Sequence, residues 1–156
     1  MGKCASKLRT EVAPPKGIVK RGSAEIRQII TAQLRLDHVH VSDGEYGCYP
    51  REEVERFLNS DSVDKLKYYK NRFDCDNFAL ALAGREAEWF ATGEGEYGSA
   101  FGIVHGDIRK HEMDTEPRPH AVNFFIDDSG KLWLIEPQTD EISAPTLSST
   151  FWFSLC

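Results

Sequence analysis

The first half of the chain carries apolar residues at spacings of three and four, a pattern typical of amphipathic helices. One stripe follows Ser23, a residue type suited to N-capping, and consists of Ile26, Ile29, Ile30 and Leu34. Another follows Pro50, which is favoured at the first position of a helix, and consists of Val54, Phe57 and Leu58. The pattern therefore predicts two helices, separated by a short extended piece and a turn in "DHVHVSDGEYG".

A third helix is predicted within "YYKNRFDCDNFALALAGREAEWF", which runs from Tyr68 to Phe90. Asp74 is a suitable N-cap, and the apolar residues expected to face inward are Phe78, Ala79, Leu82 and Trp89. Cys75 would then lie in the first turn of this helix.

The second half of the chain is rich in β-branched and aromatic residues. Its predicted strands are "SAFGIVHGDI", "HAVNFFID", "KLWLIEP" and "STFWFSLC", and "DDSG" supplies a tight hairpin turn between the middle two. Helices followed by strands are typical of an α+β fold. We therefore expect N-terminal helices packed on a small antiparallel sheet.

Composition narrows the function classes. The chain has 156 residues, 40% of them hydrophobic, which is enough for one domain with a real core. Its net charge of -6 argues against nucleic acid as a partner, because phosphate neutralisation needs a basic surface. No apolar stretch is long enough to span a bilayer, and four widely spaced cysteines indicate free thiols. A cytoplasmic location is expected.

Residues 1–22 are expected to form a flexible basic arm before a domain of residues 23–156. The arm has six basic residues against one acid, and "APPKG" breaks regular structure. Its start, "MGKCAS", matches a myristoylation pattern at Gly2, with Cys4 available for palmitate. Lipidation or the basic charge alone would bring the arm to a membrane surface, although so short a motif often occurs by chance.

Cys75 is the main candidate for catalysis. A thiol at a helix N-terminus faces the positive end of the helix dipole, which favours the thiolate. His120 opens a predicted strand and can act as the base, and Glu136 can orient the imidazole. Folding the hairpin at Asp128–Gly130 puts Glu136 opposite about residue 122. Asn123 and Gln138 are alternative orienting residues.

Three motifs in this order, "DCDNFALAL", "HAVNFFID" and "LWLIEPQTDEI", resemble a known family. It is the papain-like peptidase domain at the C-terminal end of the Marasmius agglutinin, with small related proteins in bacterial and phage genomes. The resemblance covers roughly residues 45–145. It implies a papain-like fold, a catalytic triad of Cys75, His120 and Glu136, and calcium bound near the cysteine. The chain shows no β-trefoil repeat before the match, so sugar binding is not carried over.

Calcium also has a rationale in the residues. Asp74 and Asp76 flank the cysteine, and a hard cation prefers carboxylate and carbonyl oxygens. The remaining ligands would come from Asn77, Asp140 and Glu141 if the "EPQTDE" loop folds over the helix start. The alternative is that aspartates in the first turn stabilise the helix without any metal.

Two further assignments concern donors and ligands. An oxyanion hole would combine the Cys75 backbone N–H with a side chain upstream, for which Asn71 and Tyr69 are both candidates. His38 and His40 share one face of a short strand, which is compatible with zinc but more typical of surface histidines. His105 and His111 are expected in or beside an exposed loop.

The sequence thus supports a cysteine hydrolase that cleaves peptide or isopeptide-like amide bonds in a protein or peptide substrate. The alternative from another class is a non-catalytic binding module of the same fold, in the form of a phage-borne protein directed at a host component. Acyl transfer to an amine would use the same catalytic residues.

Overall fold

The computed structural model describes residues 12–36, 38–108, 118–146 and 149–155. Three α-helices are present in this part of the chain: α1 (Ser23–Leu34), α2 (Arg51–Ser60) and α3 (Cys75–Phe90). A short 3-10 turn covers Val63–Lys65. The strands are β1 (Val19–Gly22), β2 (Val39–His40), β3 (Glu45–Cys48), β4 (Gly98–Ser99), β5 (Phe101–Ile108), β6 (Arg118–Ile126), β7 (Leu132–Glu136), β8 (Glu141–Ser143) and β9 (Thr150–Leu155).

The strands form two sheets. The smaller sheet has the order β1-β3-β4, and the larger has the order β2-β9-β5-β6-β7-β8. Within the larger sheet β2 and β9 are parallel, whereas the other neighbours are antiparallel. Strands β5 and β9 shift register between His105 and Gly106. Such a bulge bends a strand and re-aims the side chains beside it.

Strand β6 lies at the centre of the packing because it buries both of its faces. Val122, Phe124 and Ile126 belong to the core on the α1 side, which also contains Ile26 and Ile30. Along the same strand, Ala121 and Phe125 pack in the clusters on the α3 side. This alternation of side chains assigns each residue of β6 to one face of the sheet.

The β6–β7 hairpin depends on one carboxylate at its turn. Asp127 Oδ1 accepts backbone N–H groups from Ser129 at 3.0 Å and Lys131 at 2.9 Å, and Oδ2 accepts the indole N–H of Trp133 at 2.8 Å. Burial raises the pKa of Asp127, but the hydrogen bonds from Ser129 and Trp133 outweigh it and lower the pKa overall. The turn fixes a register that pairs Asn123 with Ile135, as the position of "DDSG" predicted.

The helices lie close to their predicted positions, with small differences at their ends. Helix α1 is preceded by Gly22 as its N-cap, so the expected cap Ser23 is the first helical residue. Pro50 is the N-cap of α2, one position before the place predicted for it. Asp74 caps α3 as predicted. The first half also contains β1 and β3, which were not predicted, and β2, which lies in the predicted extended piece. The papain-like fold stays a prediction.

Residues 12–22 make specific contacts, although we expected a flexible arm up to residue 22. The Ala13 carbonyl accepts hydrogen bonds from the Arg56 guanidinium at 2.8 Å and the Trp89 indole N–H at 2.9 Å. The Lys16 backbone N–H donates to Glu53 at 3.2 Å, and Val19–Gly22 form β1. Residues 1–11, with Gly2 and Cys4, lie outside the described part. Among the described residues, no helix is apolar and long enough to cross a bilayer.

A buried carboxyl group joins α3 to the smaller sheet. Glu86 of α3 is only 3% exposed, and its Oε1 accepts hydrogen bonds from the Tyr49 hydroxyl at 2.5 Å and the Ser99 hydroxyl at 2.6 Å. Burial raises the pKa of Glu86 to about 7. The folded state therefore favours the protonated, neutral form of this side chain.

This burial predicts a pH-dependent stability. Because the folded pKa of Glu86 lies above the unfolded value, its neutral form is accommodated at low pH, and stability falls as pH rises through about 4.5 to 7. The loss attributable to Glu86 is at most about 3 kcal/mol. Glu86→Gln keeps an acceptor for Tyr49 and Ser99 but cannot ionise, so its unfolding free energy should change less with pH. Denaturant unfolding of the unaltered protein and the variant from pH 5 to 8 measures this change. An equal pH dependence of the two proteins would contradict a raised pKa of Glu86.

Candidate active site

Helix α3 presents Cys75 at its first position, in a start that several hydrogen bonds hold in place. The Asp74 backbone N–H donates to Asn77 Oδ1 at 3.2 Å, and the Asn71 backbone N–H donates to Asp74 Oδ2 at 3.0 Å. Asn71 has a φ of 61°, a left-handed conformation that asparagine tolerates well. The Cys75 side chain is half-buried, so reagents can reach it, whereas Cys48 is fully buried.

His120 and Glu136 form a hydrogen-bonded pair, as the hairpin register predicted. His120 Nε2 lies 2.6 Å from Glu136 Oε2, and both side chains are largely shielded from solvent, with 7% and 15% exposure. The Gln138 backbone N–H donates to Glu136 Oε1 at 3.3 Å, which fixes the carboxylate from its other side. Glu136 is therefore the carboxylate that contacts the His120 imidazole, and both of its oxygens take part in hydrogen bonds.

Asn123 connects the helix of Cys75 to the strand of His120. Its Nδ2 donates to the Ala79 carbonyl of α3 at 2.9 Å and to the Gly102 carbonyl of β5 at 3.3 Å, and the residue is fully buried. Asn123 thus does not orient His120, contrary to that alternative, because its amide N–H groups are used between helix and sheet.

A small apolar cluster brings Cys75 against strands β5 and β6. The cluster consists of Ala79, Ile103 and Ala121, and Cys75 packs on it. Ala121 directly follows His120 in β6. Small side chains at positions 79 and 121 allow helix and strand to approach closely, which draws the first turn of α3 toward the start of β6.

His105 is a residue at this site that the sequence analysis misplaced. It lies in β5, half-buried, and pairs with Ala121 across the β5–β6 ladder, so it is not in an exposed loop. The pKa of Asp76 is lowered mainly by the hydrogen bond with Asp74, and the proximity of His105 lowers it further. The predicted strand "SAFGIVHGDI" already contains His105, whereas no local sequence pattern predicts the β-bulge that directly follows it.

The residues considered for calcium do not form one cluster. Ligand atoms of Asp74, Cys75 and Asp76 lie within 4.8 Å of one another, the only such set in the described ranges. A shared hydrogen bond raises the pKa of Asp74 and lowers that of Asp76. Asn77 Oδ1 is occupied by the Asp74 backbone N–H. Glu141 faces Glu136 across the β7–β8 ladder instead.

Asp140 belongs to a second acidic region. Burial raises its pKa to about 6, and the nearby charges of Asp64 and Asp61 add to that rise. Its φ of 59° follows from a tight turn in which its backbone N–H donates to the Glu136 carbonyl at 2.9 Å. This tight turn over residues 136–140 brings the loop after β7 close to Asp61 and Asp64, which follow α2.

The remaining candidates can be located as well. Tyr69 and Phe73 exchange backbone hydrogen bonds of 2.9 and 2.8 Å, which closes the loop before α3, and the Tyr69 ring is 45% exposed. The assignment of Tyr69 or Asn71 to an oxyanion hole stays a prediction. His38 and His40 are exposed, and neither belongs to a metal-ligand set in the described residues. His111 lies outside the described residues.

Comparison with protein families matches residues 21–148 to the ricin-type beta-trefoil lectin C-terminal domain. The chain belongs to this family. The match covers most of the chain and includes Cys75, His120 and Glu136. The resemblance to the C-terminal domain of an agglutinin is therefore confirmed. A search of curated proteins finds no match.

Two solved structures share the fold of this lectin C-terminal domain. PSL1a in complex with E64 has a TM-score of 0.74 and 21% sequence identity over 88% of this chain. The Polyporus squamosus lectin bound to a human-type influenza-binding epitope has a TM-score of 0.72 and the same identity and coverage. This chain covers 51% and 49% of those two chains, about half of their length.

The role of Asn123 generates a prediction. Asn123→Ala removes both hydrogen bonds and leaves two buried carbonyls without that donor, which should destabilise the fold by about 1–3 kcal/mol. Denaturant unfolding measures this loss. Asn59→Ala is the control, since Asn59 also donates to a backbone carbonyl but is exposed. Equal stabilities of the two variants would show that Asn123 does not hold α3 on the sheet.

Proposed function

We propose that this lectin C-terminal domain is a cysteine hydrolase of peptide or isopeptide-like amide bonds. The observation that carries the proposal is the 2.6 Å contact between His120 and Glu136. His120 belongs to β6, the strand whose Ala121 packs against Cys75 in the first turn of α3. A buried imidazole held by a carboxylate and a half-buried thiol at a helix N-terminus are the groups that nucleophilic cysteine catalysis requires.

The proposal gives each ring nitrogen of His120 a role, on the basis of the hydrogen bond to Glu136. With Nε2–H donating to Glu136, the neutral imidazole of His120 carries its lone pair on Nδ1. In the proposed reaction Nδ1 takes the thiol proton of Cys75, and the sulfur attacks the substrate carbonyl carbon. His120 then returns that proton to the leaving amine as the amide C–N bond breaks.

The resulting thioester is resolved by a second nucleophile. Water gives its proton to His120, attacks the thioester carbonyl and releases the free acid together with the Cys75 thiol. An amine in place of water would give a new amide by the same steps. Backbone N–H groups at the start of α3 point toward developing negative charge there, and Asn71 or Tyr69 would add a side-chain donor.

The proposal places one geometric demand on His120. Residues 122, 124 and 126 face the α1 side, so alternation alone would turn position 120 away from α3. The last pair of the β6–β7 ladder is Asn123 with Ile135, however. His120 is therefore paired with no residue of β7, although it is paired with Gly106 of β5. The proposed reaction requires the imidazole to reach Cys75 past this unpaired edge of β6. His105, on the α3 side of the sheet, is the competing base.

Calcium fits the acidic residues in two places. Asp74 and Asp76 beside Cys75 offer carboxylates whose repulsion of a thiolate a cation would offset. Asp140 has a buried Oδ1 for which no hydrogen bond is found, and it lies near Asp61 and Asp64. Oxygen-only donors of this kind suit a hard divalent cation. When bound beside Cys75, calcium would supply positive charge and rigidity to the first turn of α3.

A non-catalytic binding module is the second candidate. The observation that favours it is the family itself, together with a solved neighbour that is a lectin bound to a glycan epitope. In that case the cleft would recognise its ligand without Cys75 chemistry. The two functions differ in what the thiol does, so a reaction at the thiol separates them.

Selective alkylation of Cys75 is the first expected outcome. Cys48 is fully buried and burial raises its pKa to about 11, so it should stay unlabelled in the folded protein. Cys75 should react with iodoacetamide at neutral pH and with E64, an epoxide that alkylates cysteine thiolates. His120→Ala should slow the reaction at Cys75 by at least about tenfold, and Glu136→Gln should slow it less. Mass spectrometry of the labelled peptides measures each rate.

The controls distinguish the two histidines and the two functions. Cys75→Ala must abolish labelling at that site and any amide hydrolysis. If His105→Ala slows labelling and His120→Ala does not, His105 is the base and the proposed triad is wrong. A Cys75 rate equal to that of free cysteine in every variant would leave the binding module as the function.

Calcium dependence is the next expected outcome. At a calcium concentration of about 100 times Kd, binding to the folded state adds about 2.7 kcal/mol of stability, and EGTA should remove it. Asp76→Asn should weaken this effect and the calcium stimulation of Cys75 labelling, whereas the exposed Glu52→Gln should not. Thermal unfolding with and without EGTA measures the stabilisation. Identical melting curves would exclude a structural calcium ion.

A further inference from the structure

A cleft with a volume of about 140 Å³ opens beside the His120–Glu136 pair. Its floor consists of Ile108, Val122 and Leu134, three residues of the larger sheet that are less than 9% exposed. Glu136 and Glu141 line its wall. The cleft thus combines an apolar floor with two carboxyl groups, and one of these also orients the histidine of the proposed site.

The two glutamates are direct partners in the β7–β8 ladder. Like charges that face each other across an antiparallel pair are destabilising. Glu136 has hydrogen bonds from His120 and from the Gln138 backbone, whereas Glu141 is exposed and has no salt bridge within the residues that the structure describes. A cation in the cleft would relieve the repulsion between the two carboxylates.

We propose that this cleft binds the side chain of a lysine or arginine of the substrate. The aliphatic stem would lie on Ile108, Val122 and Leu134, where its burial is favourable. The ammonium or guanidinium group would then lie between Glu141 and Glu136. This inference rests on the proposed function, because it assigns the occupant of the cleft to the substrate of that site.

The composition of the cleft selects this occupant over a metal ion. Calcium takes six to eight oxygen ligands, and the floor of Ile108, Val122 and Leu134 offers none. The other lining residues offer two carboxylates and the hydroxyls of Thr139, Ser143, Thr146 and Ser149, which can also accept hydrogen bonds from an ammonium or guanidinium group. An uncharged apolar side chain would cover the apolar floor, but the repulsion between the two facing carboxylates would remain. An acidic side chain would add a third negative charge. A long side chain that ends in a positive charge meets both requirements.

The test measures binding directly and does not depend on catalysis. Methyl NMR spectra of the full chain are recorded with N-acetyl-lysine methylamide and with its norleucine and glutamate counterparts. The lysine probe should shift the methyl signals of Ile108, Val122 and Leu134 but not those of Val54, which lies in the α2 core. Its affinity should exceed that of the norleucine probe roughly fivefold, and the glutamate probe should not bind.

Charge at Glu141 should account for this preference. Glu141→Gln should bring the lysine probe close to the affinity of the norleucine probe, while Glu52→Gln, on α2, leaves it unchanged. A salt concentration of about 1 M should have a similar effect because it screens exposed charges. Equal binding of lysine and norleucine by the unaltered chain, or stronger shifts with calcium alone, would overturn the proposal.

The Cys75 labelling experiment and the NMR titration together show whether the cleft assignment or the proposed hydrolase function is wrong. Selective labelling of Cys75 with no lysine preference in the NMR titration would leave the hydrolase standing and the cleft assignment wrong. A lysine preference with an unreactive Cys75 would leave the cleft as a recognition site of a binding module and would contradict the hydrolase.

Discussion

The structure depends on the junction between helix α3 and strand β6, which Asn123 makes specific. The fully buried side-chain amide of Asn123 donates hydrogen bonds to the Ala79 carbonyl of the helix and to the Gly102 carbonyl of the neighbouring strand β5. Apolar packing alone would allow the helix to slide along the sheet, because dispersion and burial have little directionality. The buried amide fixes one position, and with it the distance between the first turn of α3 and the start of β6.

Much of the candidate site could be predicted because its signals are local. The capping residue Asp74 and the apolar residues behind it define where α3 begins, and so put Cys75 in the first turn. The turn at Asp128–Gly130 sets the hairpin register over few residues, which is why the pairing of His120 with Glu136 could be counted from the sequence. Hydrogen bonds within short segments restrict the possible positions of these residues, so the sequence alone is enough to predict them.

What the sequence did not reveal depends on contacts between distant segments. His105 was expected to be exposed in or beside a loop, although the predicted strand "SAFGIVHGDI" contains it, and the pairing of β5 with both β6 and β9 leaves it half-buried. The direction of the loop after β7 follows from the left-handed turn at Asp140, which carries that residue to Asp61 and Asp64. Neither result follows from spacing or propensity.

The contacts of residues 12–16 bear on where this domain starts. This segment has no regular secondary structure, yet the carbonyl of Ala13 is the acceptor for both Arg56 and Trp89, and Val12 packs on the core beneath them. Trimming the chain at the first strand would remove these acceptors and uncover an indole, although every helix and strand would remain. Domain limits drawn from secondary structure alone are therefore too narrow for this protein, and recombinant versions should keep the irregular stretch.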